Sequence, residues 1–110
     1  MIAVENFVKR YGEFVAVDDT SFSVPAGAIA ALVGPNGAGK TTTIRTLCGI
    51  LQPTDGRIQV ANACLATETL DVKRRTAYVP DDPPLFDSLT VSEHLQFIAS
   101  AYRLKDWQQD

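Results

Sequence analysis

Residues 28 to 46, Ala-Ile-Ala-Ala-Leu-Val-Gly-Pro-Asn-Gly-Ala-Gly-Lys-Thr-Thr-Thr-Ile-Arg-Thr, limit what this chain can fold into more than any other stretch. An uncharged run ending in Leu32 and Val33 breaks at Gly34, crosses a glycine-rich turn, and restarts at Lys40 with helix-compatible spacing. A run apolar on both faces, such as Ala28 to Val33, is the pattern of a parallel strand covered by helices. Gly34, Gly39, Lys40 and Thr41 fit G-x-x-x-x-G-K-S/T, a phosphate-binding loop. Without a β-carbon at Gly34, Gly37 and Gly39, the backbone can turn tightly and close its N–H groups on phosphate oxygens. The helix that follows aims unpaired N–H groups and the positive end of its dipole at the same point. Lys40 is expected to reach the β- and γ-phosphates, and the Thr41 hydroxyl to ligate Mg²⁺. A glycine turn with a chance lysine would not explain the strand before, the helix after and all four fixed residues together. The stretch predicts binding of a nucleoside triphosphate with magnesium.

The rest of the chain must fit around that unit. Its 110 residues suffice for one small domain and not for two. Ten basic residues against thirteen acidic ones give a net charge of −3. The only basic cluster, Lys73-Arg74-Arg75, reads as a solvated helix end, so nucleic acid is not an expected partner. The first ten residues carry charges and no apolar core, unlike a secretory signal. The longest uncharged stretch, Thr20 to Gly39, is cut by Pro25, Gly27, Gly34 and Pro35 and does not read as a membrane span. Cys48 and Cys64 have no metal-ligand spacing and need not pair, which fits a reducing cytoplasm.

Taken in order, Ile2 to Lys9 favours a strand by its Val, Phe and Ile content. Tyr11-Gly12-Glu13 marks a turn, Phe14 to Val17 resumes the extended pattern, and Asp18-Asp19 interrupts it. Phe22 and Val24 then alternate up to the turn at Pro25-Ala26-Gly27, so the first quarter predicts an antiparallel meander feeding a buried strand, Ala28 to Val33. A helix over Lys40 to Cys48 would bury Ile44, Leu47 and Cys48, with Gly49 as its stop. Short strands are expected at Arg57 to Val60 and at Ala77 to Val79, with one or two helical turns over Glu68 to Arg75. Pro80 to Leu89 reads as a surface loop. Thr90-Val-Ser-Glu93 matches the S/T-x-x-E/Q capping box, a helix start. Val91, Leu95, Ile98 and Tyr102 would give that helix one buried face.

The phosphate loop alone does not choose among kinases, GTPases and transport motors, but its surroundings do. Residues 34 to 42, Gly-Pro-Asn-Gly-Ala-Gly-Lys-Thr-Thr, resemble the phosphate loop of the ATP-binding cassette (ABC) ATPases. Phe7-Val-Lys-Arg-Tyr-Gly followed by Ala16-Val-Asp-Asp looks like that family's opening strands. Leu47-Cys-Gly-Ile-Leu-Gln-Pro-Thr-Asp-Gly56 is similar to its helix end and turn, and Ala77-Tyr-Val-Pro leads to the place of its usual glutamine. The resemblance implies an α/β phosphate-loop NTPase core. A meander occupies 1–27, a parallel strand, phosphate loop and helix fall within 28–79, and the start of a helical subdomain falls within 80–110. It implies ATP and Mg²⁺ as ligands, held by Gly34, Pro35, Asn36, Gly37, Ala38, Gly39, Lys40, Thr41 and Thr42. Tyr11 would stack on adenine, with Val17 beside the nucleotide. Read from the residues alone, Tyr11 could equally be a turn aromatic packing on the meander.

One position departs from the pattern. Asp81 stands where the family's glutamine would touch Mg²⁺ or the attacking water, so the resemblance marks it as a metal and catalytic candidate beside Lys40. Carboxylate oxygen suits magnesium, yet Asp81-Asp82 before Pro83-Pro84 could instead simply shape a solvated loop. The stretch from Pro80 to Glu93 looks most like a subset of bacterial ABC-2-type export ATPases. No Leu-Ser-Gly-Gly-Gln signature, Walker B strand with its glutamate, or switch histidine occurs in these residues, and the single histidine, His94, falls inside the capped helix. The chain is therefore expected to be the N-terminal half of an ABC ATPase domain, inactive by itself. The whole domain would hydrolyse ATP to drive a transmembrane permease, paired with a second ATP-binding domain on the cytoplasmic face of the plasma membrane. An inactive nucleotide-binding piece and a non-transport ABC ATPase are the alternatives, and the missing Asn-Lys-x-Asp segment counts against a GTPase.

Overall fold

The structure is a computed structural model that describes residues 1–35, 37 and 39–109. It divides into two compact units, Met1–Tyr78 and Val79–Asp110. The first is built on an antiparallel sheet of β1 (Ile2–Tyr11), β2 (Phe14–Val24), β3 (Asp55–Val60) and β4 (Ala63–Cys64), in the order β2-β1-β3-β4. The expected meander is thus a long hairpin whose first strand also carries β3.

Strict alternation would not put both Val4 and Phe7 in the core, because three residues apart they point to opposite faces. A bulge solves this. Asn6 has φ 49° and Asp19, across the hairpin, has φ 47°. The Asn6 side-chain amide donates to Asp19 Oδ1 at 2.8 Å. Asn and Asp tolerate this left-handed backbone better than most residues, and each bends its strand without ending it. Asp18-Asp19 therefore marks a bend in one eleven-residue strand rather than an interruption. Gly56 crosses this bulge so closely that a β-carbon there would stand 2.3 Å from the Asn6 carbonyl oxygen.

The core holds Val4, Phe7, Val17, Ile58, Val60 and Ala63 from the sheet, together with Leu65 and Val72. Val72 comes from α2 (Thr69–Arg74), a six-residue helix without a side-chain cap. Such a helix is too short to persist by propensity, so burial of Val72 is what holds it.

α1 (Lys40–Leu47) ends as the sequence predicts. Gly49, at φ 74°, donates to Thr46 O at 2.9 Å, and the next N–H, of Ile50, reaches Arg45 O at 2.9 Å. This is a Schellman ending. Its buried residues are Thr43 and Thr46, while Ile44 is exposed and Leu47 and Cys48 are half-buried. The threonines tolerate burial because their hydroxyls donate to the carbonyls of Gly39 and Thr42, each at 2.8 Å.

Two expected strands do not form. Residues 28–33 are irregular and exposed, with Val33 88% accessible, and residues 77–79 are likewise without strand structure. A run apolar on both faces needs parallel neighbours and covering helices, and none of the described strands pairs with it.

In the second unit, α3 (Val91–Ala101) starts at the expected capping box with both arms made. Thr90 Oγ1 accepts from the Glu93 N–H at 3.3 Å, and Glu93 Oε2 accepts from the Thr90 N–H at 2.6 Å. The Thr90 N–H and the Thr90 hydroxyl, which donates to the same Oε2 at 2.9 Å, hold the Glu93 carboxyl below the ordinary carboxylate range. The expected buried face is absent: Val91, Leu95, Ile98 and Tyr102 are exposed, and Ala99 is the buried residue of this helix. His94 packs toward the preceding loop, accepting from the Phe86 N–H through Nε2 at 3.0 Å. A short 3₁₀ turn, Trp107–Gln109, follows. Among the described residues no helix is long and apolar enough to cross a membrane.

Candidate nucleotide-binding site

The site grows from the start of α1. Gly39 is its N-cap, at φ 84° and ψ 11°, and offers no side chain to occupy the first-turn N–H groups. No acidic residue stands in that turn, so nothing there repels an anion. A β-carbon on Gly39 would lie 2.5 Å from the Ala16 carbonyl oxygen and 2.8 Å from Val17 Cγ2. Glycine is needed here twice over, for its positive φ and for the contact with β2. Gly37 also has φ 83° but faces open space. Its requirement is conformational alone.

Lys40 turns back over the loop, and its Nζ donates to the Gly34 carbonyl. The ammonium is thereby held against the start of the turn. Beside it lies a cleft of about 220 Å³ whose walls include Gly37, Gly39, Lys40, Thr41 and Thr42. Phe14 and Ala16 close the β2 side. Lys40, two threonines and the start of α1 thus border one small volume.

The expected residues are not all placed alike. Gly34, Pro35, Gly37, Gly39, Lys40, Thr41 and Thr42 belong to the turn and the helix start as expected. Asn36 and Ala38 lie outside the described residues. Val17 is 6% exposed, packs against Gly39 and is not among the cleft's walls. Tyr11 ends β1, directly across the hairpin from Phe14, with 48% of its surface exposed. It is not among the cleft's walls; Phe14 is. Asp81 belongs to the second unit, in an exposed bend. Phe14 and Ala16 escaped the sequence reading although their spacing of two puts them on one face of a strand. Once that strand is known to back Gly39, the signal is plain.

A glycine N-cap locked against a strand, with a lysine folded over the turn behind it, defines the phosphate-loop class of nucleotide-binding proteins. Comparison with known proteins narrows the class. The ABC transporter family model matches residues 17–110. The SkfA peptide export ATP-binding protein SkfE of Bacillus subtilis (strain 168) is 42% identical over 102 residues, covering 93% of this chain and 42% of that protein. A solved structure of the ATP binding subunit of an ABC transporter matches with a TM-score of 0.86 at 36% identity, over 96% of this chain and 44% of that one. A bacterial Atm1-family ABC exporter with ATP bound matches with a TM-score of 0.76 at 30% identity, over 87% of this chain and 17% of that one. The chain belongs to the ABC transporter family, within its ATP-binding domain. It spans less than half the length of each of these relatives.

Proposed function

We propose that this chain supplies the Mg-ATP site of an ABC transport ATPase. The observation that carries the reading is Gly39 locked between its positive φ and β2, with Lys40 turned over the loop beside the start of α1. Phosphate oxygens would meet the Lys40 ammonium and the N–H groups of the turn from Gly34 to Thr42, apart from Pro35, which carries none. Among the described residues no three His, Cys, Asp or Glu side chains gather to hold a metal. Magnesium takes few protein ligands and completes its shell with phosphate oxygens and water. The Thr41 hydroxyl is the proposed protein ligand. Bound there, magnesium would neutralise charge between the β- and γ-phosphates. Tyr11 is the proposed stacking surface for adenine, with Phe14 between base and phosphates.

In the whole protein, attack of water on the γ-phosphate would power movement of a transmembrane permease. A second ATP-binding domain would complete the motor on the inner face of the plasma membrane. The names of the peptide-export relative and of the ATP-bound exporter favour export as the direction. Lys40→Ala tests the reading. Loss of a charge-assisted contact to the transferring phosphoryl group costs about 2–4 kcal/mol in the transition state, so turnover should fall at least about thirtyfold. Undiminished magnesium-dependent turnover in that variant would overturn the assignment.

A further inference from the structure

Lys9 lies half-buried on β1, two residues before Tyr11 and on the same side of the strand. Its Nζ donates to the Gln52 carbonyl at 2.8 Å and stands 5.0 Å from the centroid of the Tyr11 ring. That distance is within reach of a cation–π attraction. An exposed lysine ordinarily roams through many rotamers. Here a carbonyl from the segment after α1 fixes its head over an aromatic face.

Two consequences follow for the ring. One face of Tyr11 is covered, so a flat partner can stack only on the other. The ammonium also draws π-electron density toward itself, which favours contact between the open face and an electron-rich heterocycle. We infer that Lys9 is a positioning residue for the base of the nucleotide, acting through Tyr11. Through Gln52 it also ties that ring to the segment after α1, the helix whose start is the proposed phosphate site. This assignment rests on the stacking role of Tyr11 proposed above.

The strand around Lys9 has its own anchors. The Thr54 N–H donates to the Val8 carbonyl at 2.8 Å, and the Arg10 N–H donates to Thr54 Oγ1 at 2.9 Å. Lys9→Met, which keeps an apolar stem and removes the charge, should therefore leave the fold in place. The test titrates the whole protein with Mg-ATP and, separately, with inorganic tripolyphosphate, which has no base. Lys9→Met should bind ATP about three- to fivefold more weakly, the worth of an exposed cation–π contact. Its affinity for tripolyphosphate should stay at the wild-type value, and Lys9→Arg should restore ATP binding. In a Tyr11→Ala background the Lys9→Met effect should vanish. Wild-type ATP affinity in Lys9→Met, with Tyr11→Ala clearly weakened, overturns the role of Lys9 and leaves that of Tyr11 standing. Wild-type ATP affinity in Tyr11→Ala overturns both. An equal loss for ATP and tripolyphosphate would show the charge acting on phosphate and would overturn positioning through the ring.

Discussion

The helices α2 and α3 are held by opposite means, and the same opposition runs through the two units. α2 has six residues and no side-chain cap, and Val72 is fully buried beneath it. α3 has eleven residues and a complete capping box, yet leaves Leu95 and Ile98 about half exposed. Long-range packing makes the first helix; local hydrogen bonds make the second. The candidate site falls on the packed side. Its glycine turn is shaped by contact with Ala16 and Val17, more than twenty residues away in sequence. A phosphate loop here is therefore a tertiary object, although its motif is local.

The strongest way to break this comparison is to empty the core. Phe7→Ala should destabilise the first unit by about 3–5 kcal/mol, read from urea unfolding. Amide exchange should then quicken through β1 and β3, while α3 keeps its capped start. Loss of less than about 1 kcal/mol would mean that the sheet is not held by the cluster around Phe7. Gly39→Ala comes next. The forced positive φ and the overlap with the Ala16 carbonyl should cost about 1–3 kcal/mol and abolish phosphate binding. Gly37→Ala, strained in φ but in open space, should cost less, and equal costs would remove the role given to β2.

The smallest effect belongs to the locally held helix. Thr90→Ala should cost α3 about 1 kcal/mol, seen as faster exchange of its first-turn amides with the sheet unaffected. The same cap carries a pH dependence. Because the folded Glu93 carboxyl titrates below its ordinary range, its contribution is full above that range and is lost as pH falls through its lowered value. Glu93→Gln should flatten this response, and an unchanged acid profile would show that the cap does not govern α3.

The same contrast decides what was legible in the sequence. Signals that act within a few residues read correctly: the stop at Gly49, the cap at Thr90, and the glycine turn before Lys40. Signals that need a partner elsewhere did not. The apolar residues of Ala28 to Val33 meet no pairing strand among the described residues, and periodicity cannot supply one. The α1 stripe missed because Thr43 and Thr46 satisfy their own hydroxyls on the preceding turn, which hydrophobicity does not count. The bulge joining Asn6 to Asp19 was hidden for a similar reason, since each residue alone resembles a turn signal. Phe14 and Lys9 became visible only when the hairpin register placed them beside the glycine turn and over the Tyr11 ring.

The most direct measurement titrates Mg-ATP into the wild-type protein and the Lys40→Ala variant side by side by calorimetry. If the ammonium over the Gly34 turn is the anchor for the triphosphate, affinity should fall about tenfold or more, the worth of a charge-assisted hydrogen bond. Inorganic tripolyphosphate should compete with ATP in the wild type. Equal affinity in the two proteins, with no competition, would contradict a triphosphate site at the start of α1.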